Sequence, residues 1–502
     1  MRLRGHRFLL FIAGLLLAGC AAPQTPTVSP VPAPTRTAAA TLTPIPTAEP
    51  SATATPLLPT SEPPLHTGGP YLAYFRQVLD QRQLVVMDAD GIGRKTIAWP
   101  EQPADVRAIS PDGKWIAFYT GSATICINPD HKPVCSMNLN LMDLNTGQIK
   151  TLTPLLSKDY PGNFFEAIKQ LNNPNITALQ LADAFNAGIT NALAWSPDGR
   201  YLAFAGQMEG LSSDVYLYDL AKGSMHRLTY GPEEIQNIDW SPDGKWVLAG
   251  STMLLGEGSG FNEEAVDIAS FAVKTPPSRN YGVGTEWFDG HAFIDYENQN
   301  GLGNFDLRAV DIETGKSVQL WKDAFLNFTL DPEKDLLVVY SLDSGPFLID
   351  IKSGKRTGLK QAYLDTSFFG LGDRRFLTRG EHDASFIGAD GRLVPADPAI
   401  NNVSVAPDKR HWVSIGKTLK VFDADDTTAF ELALPFVLPA PSFGSFGQND
   451  HLRYTWRPDS AGLFIAVDQQ IYVLDLLTGK LNLIETNLTS NSDLTFLWLT
   501  PN

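Results

Sequence analysis

Asp239-Trp-Ser-Pro-Asp-Gly-Lys-Trp-Val-Leu-Ala249 returns with small changes at Ala108-Ile-Ser-Pro-Asp-Gly-Lys-Trp-Ile-Ala-Phe118 and Ala194-Trp-Ser-Pro-Asp-Gly-Arg-Tyr-Leu-Ala-Phe204. Each copy runs from an apolar stretch through a Pro-Asp-Gly tight turn into an alternating apolar stretch, which spells a β-hairpin. Weaker copies follow at Glu286-Trp-Phe-Asp-Gly-His, Thr329-Leu-Asp-Pro-Glu-Lys, Gly370-Leu-Gly-Asp-Arg-Arg, Val405-Ala-Pro-Asp-Lys-Arg and Thr455-Trp-Arg-Pro-Asp-Ser. After most of them comes a second hairpin, as in Leu141-Met-Asp-Leu-Asn-Thr-Gly147, Leu217-Tyr-Asp-Leu-Ala-Lys-Gly223, Ala309-Val-Asp-Ile-Glu-Thr-Gly315 and Val473-Leu-Asp-Leu-Leu-Thr-Gly479. Four strands in every ~35–45 residues is the spacing of a β-propeller blade. One blade alone cannot cover both of its faces, so the blades must close into a ring.

Tyr71 to Trp99 holds outer-strand sequence, Leu84-Val-Val-Met-Asp-Ala-Asp-Gly91, with no Pro-Asp-Gly strand before it. Leu494-Thr-Phe-Leu-Trp-Leu-Thr-Pro501 reads as that missing inner strand, so the C-terminus is expected to complete the first blade. Eight internal units and this composite would make nine. Discounting one weak unit, eight blades are expected, within a range of seven to nine. The fold class is therefore all-β: a single propeller of four-stranded antiparallel blades over 68–502, with a small helical insertion at about 158–188.

These repeats resemble the TolB-type, WD-like propeller repeats, which are also similar to those in the propellers of prolyl oligopeptidases and dipeptidyl peptidases. The resemblance covers roughly residues 70–500. It implies the fold, and little about function, because this repeat serves many roles. The peptidases' hydrolase domain is not expected, since no Gly-x-Ser-x-Gly nucleophile turn occurs.

The N-terminus, 1–19, reads as a secretion signal. Arg2, Arg4 and Arg7 precede the apolar run Phe8 to Leu17, which is too short for a permanent membrane span. Leu17-Ala18-Gly19-Cys20 resembles the bacterial lipobox. That resemblance implies a lipidated Cys20 at the mature N-terminus, carrying acyl chains such as palmitate, and a stable membrane anchor. Residues 20–67 are Pro, Thr, Ala and Ser with almost nothing apolar to bury, and 21–66 hold 12 of the 36 prolines. The segment reads as a disordered stalk reaching between roughly 40 Å as a coil and about 140 Å extended.

The whole chain has 39 Lys+Arg against 55 Asp+Glu, a net charge of −16. Binding nucleic acid through bulk charge is thereby excluded, since phosphates need a cationic surface. At 43% hydrophobic, the chain as a whole cannot be disordered.

With strands named A to D from the inside outward, the A–B and C–D turns share one face and are short and regular. Irregular sequence falls on the other face, in the B–C loops 121–136, 206–213, 251–264 and 296–304 and the D–A insertions 154–189 and 435–450. Long loops on a rigid scaffold are where binding usually resides. Within the first insertion Phe164, Phe165, Ile168 and Leu171 recur at helical spacing, either as a cap that holds a partner or as cover for blade edges. Cys126 and Cys135 bracket one loop and are read as a disulfide in an extracytoplasmic compartment; His131 alone is a poor third metal ligand. Glu257, Glu263 and Glu264 flank Phe261, with Glu209, Tyr296 and Glu297 in neighbouring loops. Two readings stay open for these acids: an aromatic-lined acidic mouth for a cationic or sugar ligand, or ordinary solvated charges.

Asp88-Ala-Asp90-Gly91 and Asp423-Ala-Asp-Asp426 lack the downstream Glu of a calcium loop and read as hairpin turns. No phosphate-loop, dinucleotide or His-Glu-x-x-His pattern occurs, so neither cofactor nor metal is expected. The expected function is that of a lipid-anchored envelope protein whose non-catalytic, monomeric propeller binds an envelope protein or extracellular ligand. The alternatives are a propeller enzyme, a glycan or peptide hydrolase or lyase using acids at the loop-rich mouth, and an envelope assembly factor.

Overall fold

The computed structural model describes the chain from Leu65 to Leu499, outside the segments 67–69, 79–80, 99–105, 122–135, 159–187, 190–191, 210–211, 253–260, 276–285, 299–303, 342–343, 360–366, 380–383, 437–451 and 487–496 and some single positions. The signal, Cys20, the stalk, Cys126, Cys135 and most of the helical insertion, with Phe164 and Phe165, lie outside the described residues. Among the described residues no helix is long and apolar enough to cross a membrane.

Residues 63–502 form one compact unit. Its strands fall into four-stranded antiparallel blades. Blade 1 takes Tyr71–Val78, Gln81–Asp88 and Arg94–Ala98 from the start of the ring and Leu497–Leu499 from its end. That last strand pairs antiparallel with the first, Tyr71 opposite Leu499 and Ala73 opposite Leu497, so the C-terminus does supply the inner strand. Blades 2, 3 and 4 span 106–154, 193–227 and 234–274, and blades 7, 8 and 9 span 367–396, 403–433 and 452–485. Blades 5 and 6 share a seven-stranded sheet, because Ser317–Leu330 is the outer strand of one and the inner strand of the next.

The ring thus has nine blades, at the top of the expected range and one more than the eight favoured. Every weak repeat is a blade. In the strong copies the turn needs a left-handed residue, which Gly113, Gly199 and Gly244 supply at φ 68, 71 and 73. In three weak copies Lys334, Lys409 and Ser460 take that position at φ 60, so losing the glycine did not lose the turn.

The turn chemistry explains why the repeat recurs. Ser110 Oγ donates to Asp112 Oδ1 at 2.6 Å and accepts from Trp115 N at 2.9 Å, while Lys114 N donates to Asp112 Oδ1 at 3.1 Å. Ser196 with Asp198, and Ser241 with Asp243, repeat this network. The C–D turns are built on one aspartate in the same manner: Asp143, Asp219, Asp311, Asp350 and Asp475 each accept from a backbone N–H three residues on.

The core lies between blades. Leu72, Tyr74, Val85 and Met87 of blade 1 interlock with Phe464, Ala466, Ile471 and Val473 of blade 9, and comparable clusters join the other neighbours around the ring. Each fully buried Phe or Leu in such a cluster stabilises by roughly 1.5–3 kcal/mol. The inner strands are tied directly as well: Trp240 Nε1 donates to Ala194 O at 3.1 Å and Trp456 Nε1 to Ser404 Oγ at 3.0 Å.

The chain enters on the face of the short turns, where Leu65 packs on the cluster between blades 1 and 2 and His66 N donates to Asp88 Oδ2 at 2.9 Å. On the opposite face the insertion leaves after Lys158 and returns at Gly188. A Cβ on Gly188 would lie 2.7 Å from Ile235 O, so only glycine lets the returning chain pass so close to blade 4. Two supposed loops are partly strand: Phe261–Asp267 pairs with Trp246–Thr252, and Ala292–Asn298 pairs with Asn304–Asp311. Their charged residues do not end the strands, because the hairpin partners continue the ladder to Thr252 opposite Phe261 and Asn298 opposite Phe305.

Candidate functional site: an acidic cluster where blades 3 and 4 meet

Strand C of blade 3, Asp214–Asp219, is buried at all six positions and begins with a carboxylate. Asp214 is 1% exposed, and its partner is Arg227 at the end of strand D, Ser224–Arg227, with Nη2 2.6 Å from Asp214 Oδ2. Arg227 Nη1 donates to Glu209 Oε2 at 3.0 Å, Nε donates to Thr229 O at 3.1 Å, and the guanidinium lies 4.5 Å from the Tyr230 ring centroid. Thr229 Oγ1 donates to Asp214 Oδ1 at 3.3 Å.

Blade 4 closes against this edge through Glu234, the first residue of strand A, Glu234–Trp240. Ser213 N donates to Glu234 Oε2 at 2.8 Å, and Ile235 N donates to Ser213 Oγ at 2.8 Å. Burial pushes the Glu234 carboxyl up from 4.5 to about 7, against the Ser213 hydrogen bonds and with help from the Asp214 charge. Burial also raises Asp214, although Arg227 pulls it back. Glu264 is raised by burial and by Glu233 and Asp214, which places its carboxyl within electrostatic reach of both. Tyr216 is pushed up to about 12 by burial first and then by Asp214, with Arg227, Glu209 and Tyr230 also acting on it. Its hydroxyl is buried and has no hydrogen-bond partner among the described residues.

Arg227 thus pairs with Glu209 and Asp214 directly, while Glu234 and Glu264 feel the Asp214 charge and Glu264 also that of Glu233. The floor is Asp214, Tyr216 and Glu234. The rim is Glu209, 68% exposed, and Tyr230, 75% exposed. A cation or a polyol would find a carboxylate acceptor and an exposed aromatic ring at that rim.

Of the acids singled out from sequence, Glu209 and Glu264 join this cluster. Glu263 does not, because successive residues of a strand face opposite sides, and it is buried on the other one. Phe261, Tyr296 and Glu297 stand in strands rather than loops, with side chains outside the described residues, and Glu257 lies outside them altogether. Sequence reasoning missed Asp214, Tyr216, Arg227, Tyr230 and Glu234. The one local signal was a carboxylate at the first position of each of two strands.

Comparison with known proteins follows the blades. A sequence family described as "Eukaryotic translation initiation factor eIF2A" matches residues 166–255. The "Uncharacterized peptidase YuxL" of Bacillus subtilis is 39% identical over 69 residues, 14% of this chain and 10% of its own. The "Uncharacterized protein Atu1656" of Agrobacterium fabrum is 36% identical over 58 residues, 12% of this chain and 20% of its own. The chain thus spans a small part of these relatives. Among solved structures, a eukaryotic initiation factor is similar at a TM-score of 0.50 and 14% identity, covering 86% of this chain and 98% of that one. The likeness is one of fold. TolB from Acinetobacter baumannii (TM-score 0.29, 19% identity, 65% and 64% covered) and dipeptidyl peptidase 4 of Porphyromonas gingivalis (0.44, 11%, 73% and 60%) are also neighbours. The expected propeller fold is met in the nine blades themselves.

Proposed function

We propose that this chain is a lipid-anchored envelope protein whose propeller binds a cationic partner or ligand at the blade 3–4 cluster without transforming it. The observation that carries this reading is the exposed rim of Glu209 and Tyr230, both held on Arg227, which is itself anchored to the buried Asp214. Both rim groups are exposed, so a cation can reach a carboxylate and an aromatic face there. The chain enters on the opposite face at Leu65 and His66, so the entering segment does not cover the cluster.

The enzymatic reading has one observation in its favour: Glu234 titrates at about 7 close to Asp214, as a general acid would. Both groups are at most 5% exposed, however, and held by Ser213 and Arg227, so neither reaches a substrate atom. The reachable groups, Glu209 and Tyr230, are those of a binding surface.

The test is a binding comparison between glucosamine oligomers or lysine-rich peptides and their N-acetylated, uncharged counterparts. The charged probes are expected to bind, and Glu209→Gln with Glu264→Gln is expected to weaken them by about tenfold or more, as loss of charge-assisted hydrogen bonds does. Equal binding of charged and acetylated probes would contradict the reading.

A further inference from the structure

We propose that His66, Asp88 and Asp90 form a divalent transition-metal site that fastens the chain to blade 1 where it enters the ring. The site lies on the short-turn face, away from the acidic cluster, and is independent of it. Asp88 ends the strand Gln81–Asp88, and its turn is closed by Gly91 N on Asp88 O at 2.9 Å and Asp88 N on Gly93 O at 2.8 Å. Asp90 accepts from Ile92 N through Oδ1 at 2.9 Å, which turns Oδ2 toward His66 Nε2 at 3.0 Å. On the other edge of the ring, His66 Nδ1 lies 2.9 Å from Asp88 Oδ2.

One ligand atom from each of the three side chains falls within 4.8 Å of the others. A neutral imidazole has a single N–H and can serve only one of these carboxylates; its second nitrogen then presents a lone pair to the other. A divalent ion fits this placement: one ring nitrogen binds the ion while the other donates to a carboxylate, the usual arrangement around a metal-bound histidine.

The donor set, one imidazole nitrogen and carboxylate oxygens with no thiolate, suits Zn²⁺ or Mn²⁺ and offers too few oxygens for Ca²⁺. Asp88 is fully buried, so its oxygen is held in place before any ion arrives. His66 is 49% exposed, which leaves an entry path and room for water on the ion. Sequence alone could not reveal the site, because Asp88 and Asp90 form an ordinary hairpin turn and the third ligand comes from the end of the stalk.

The experiment is calorimetric titration of the EDTA-stripped full chain with Zn²⁺, Mn²⁺ and Ca²⁺. One Zn²⁺ or Mn²⁺ per chain is expected, with Ca²⁺ much weaker, and His66→Ala or Asp90→Asn should each weaken uptake by about tenfold or more. Both variants alter the edge of one turn, and an unchanged unfolding midpoint without metal confirms that the ring is intact. Bound metal should also slow proteolytic cleavage around Leu65 in the wild type and not in His66→Ala. No uptake, or uptake equal in wild type and both variants, would overturn the site and leave the triad as a proton-mediated ion pair. Uptake lost in Glu209→Gln with Glu264→Gln instead would assign the ion to the other face and overturn it too.

Discussion

Glu485 Oε2 lies 3.1 Å from Arg94 Nη1, across the seam where the last blade meets the first. The same oxygen accepts from Arg76 Nη1 at 3.1 Å and from the Tyr74 hydroxyl at 2.9 Å, while Arg94 Nη2 reaches back to Ile484 O. Blade 1's inner strand offers only three residue pairs, so this carboxylate is a second fastener at the one place where the chain cannot close the ring covalently. Glu485→Ala removes the carboxylate that two guanidiniums, each 17% exposed, share. The expected loss is about 2–3 kcal/mol, allowing for partial solvent screening, and is read as a lower urea midpoint. An unchanged midpoint would show that the three-residue strand closes the ring unaided.

Deleting residues 497–502 removes that strand and exposes the edge of Tyr71–Val78. An unpaired strand edge is a template for association, so the truncated chain is expected to aggregate on gel filtration while wild type runs as a monomer.

The turn residues give a paired prediction. Gly244→Ala places a Cβ at φ 73 and should cost about 1–2 kcal/mol. Lys409→Gly relieves the same strain at φ 60 and loses only a distant ion pair with Glu333, at 3.7 Å. It is expected to leave stability unchanged or raise it by up to about 1 kcal/mol. The two substitutions should therefore shift the thermal midpoint in different senses.

Glu234 makes stability depend on pH. Its folded value near 7 lies above the ordinary 4.5, so the folded state holds the proton more tightly than the unfolded chain. Its contribution is complete below about pH 4.5 and is lost as pH rises through 7. Glu234→Gln keeps an acceptor for Ser213 N and cannot ionise. The variant should match wild type at pH 4.5 and exceed it at pH 8 by up to about 3 kcal/mol.

Arg227→Met strands Asp214, which is 1% exposed and already raised by burial. Removing one partner of such a pair is expected to cost about 2–4 kcal/mol at neutral pH. Because the raised carboxyl takes up a proton as pH falls, the deficit should shrink toward pH 4, as urea midpoints at several pH values would show.

The architecture was legible because it rests on local chemistry. Ser241, Asp243 and Gly244 fold their own hairpin, and the composite blade followed from a strand with no turn before it. The blade count fell one short because Lys334, Lys409 and Ser460 hold a conformation that sequence assigns to glycine. The acidic cluster was legible only in part. Glu209 stood out in irregular sequence, but Asp214, Arg227 and Glu234 belong to three strands of two blades, and only the ring brings them together. Glu263 and Glu264 look alike in sequence, yet the pleat sends them to opposite sides.

The central claim is that recognition belongs to the blade 3–4 cluster on the face away from the chain's entry. A photo-crosslinking residue in place of Tyr230, 75% exposed beside Arg227, is compared with one in place of Leu477, 93% exposed on the short-turn face of blade 9. In native envelopes, adducts are predicted at 230 that disappear in Glu209→Gln with Glu264→Gln, and none at 477. Adducts at 477 alone, or adducts at 230 that survive those substitutions, would contradict the account.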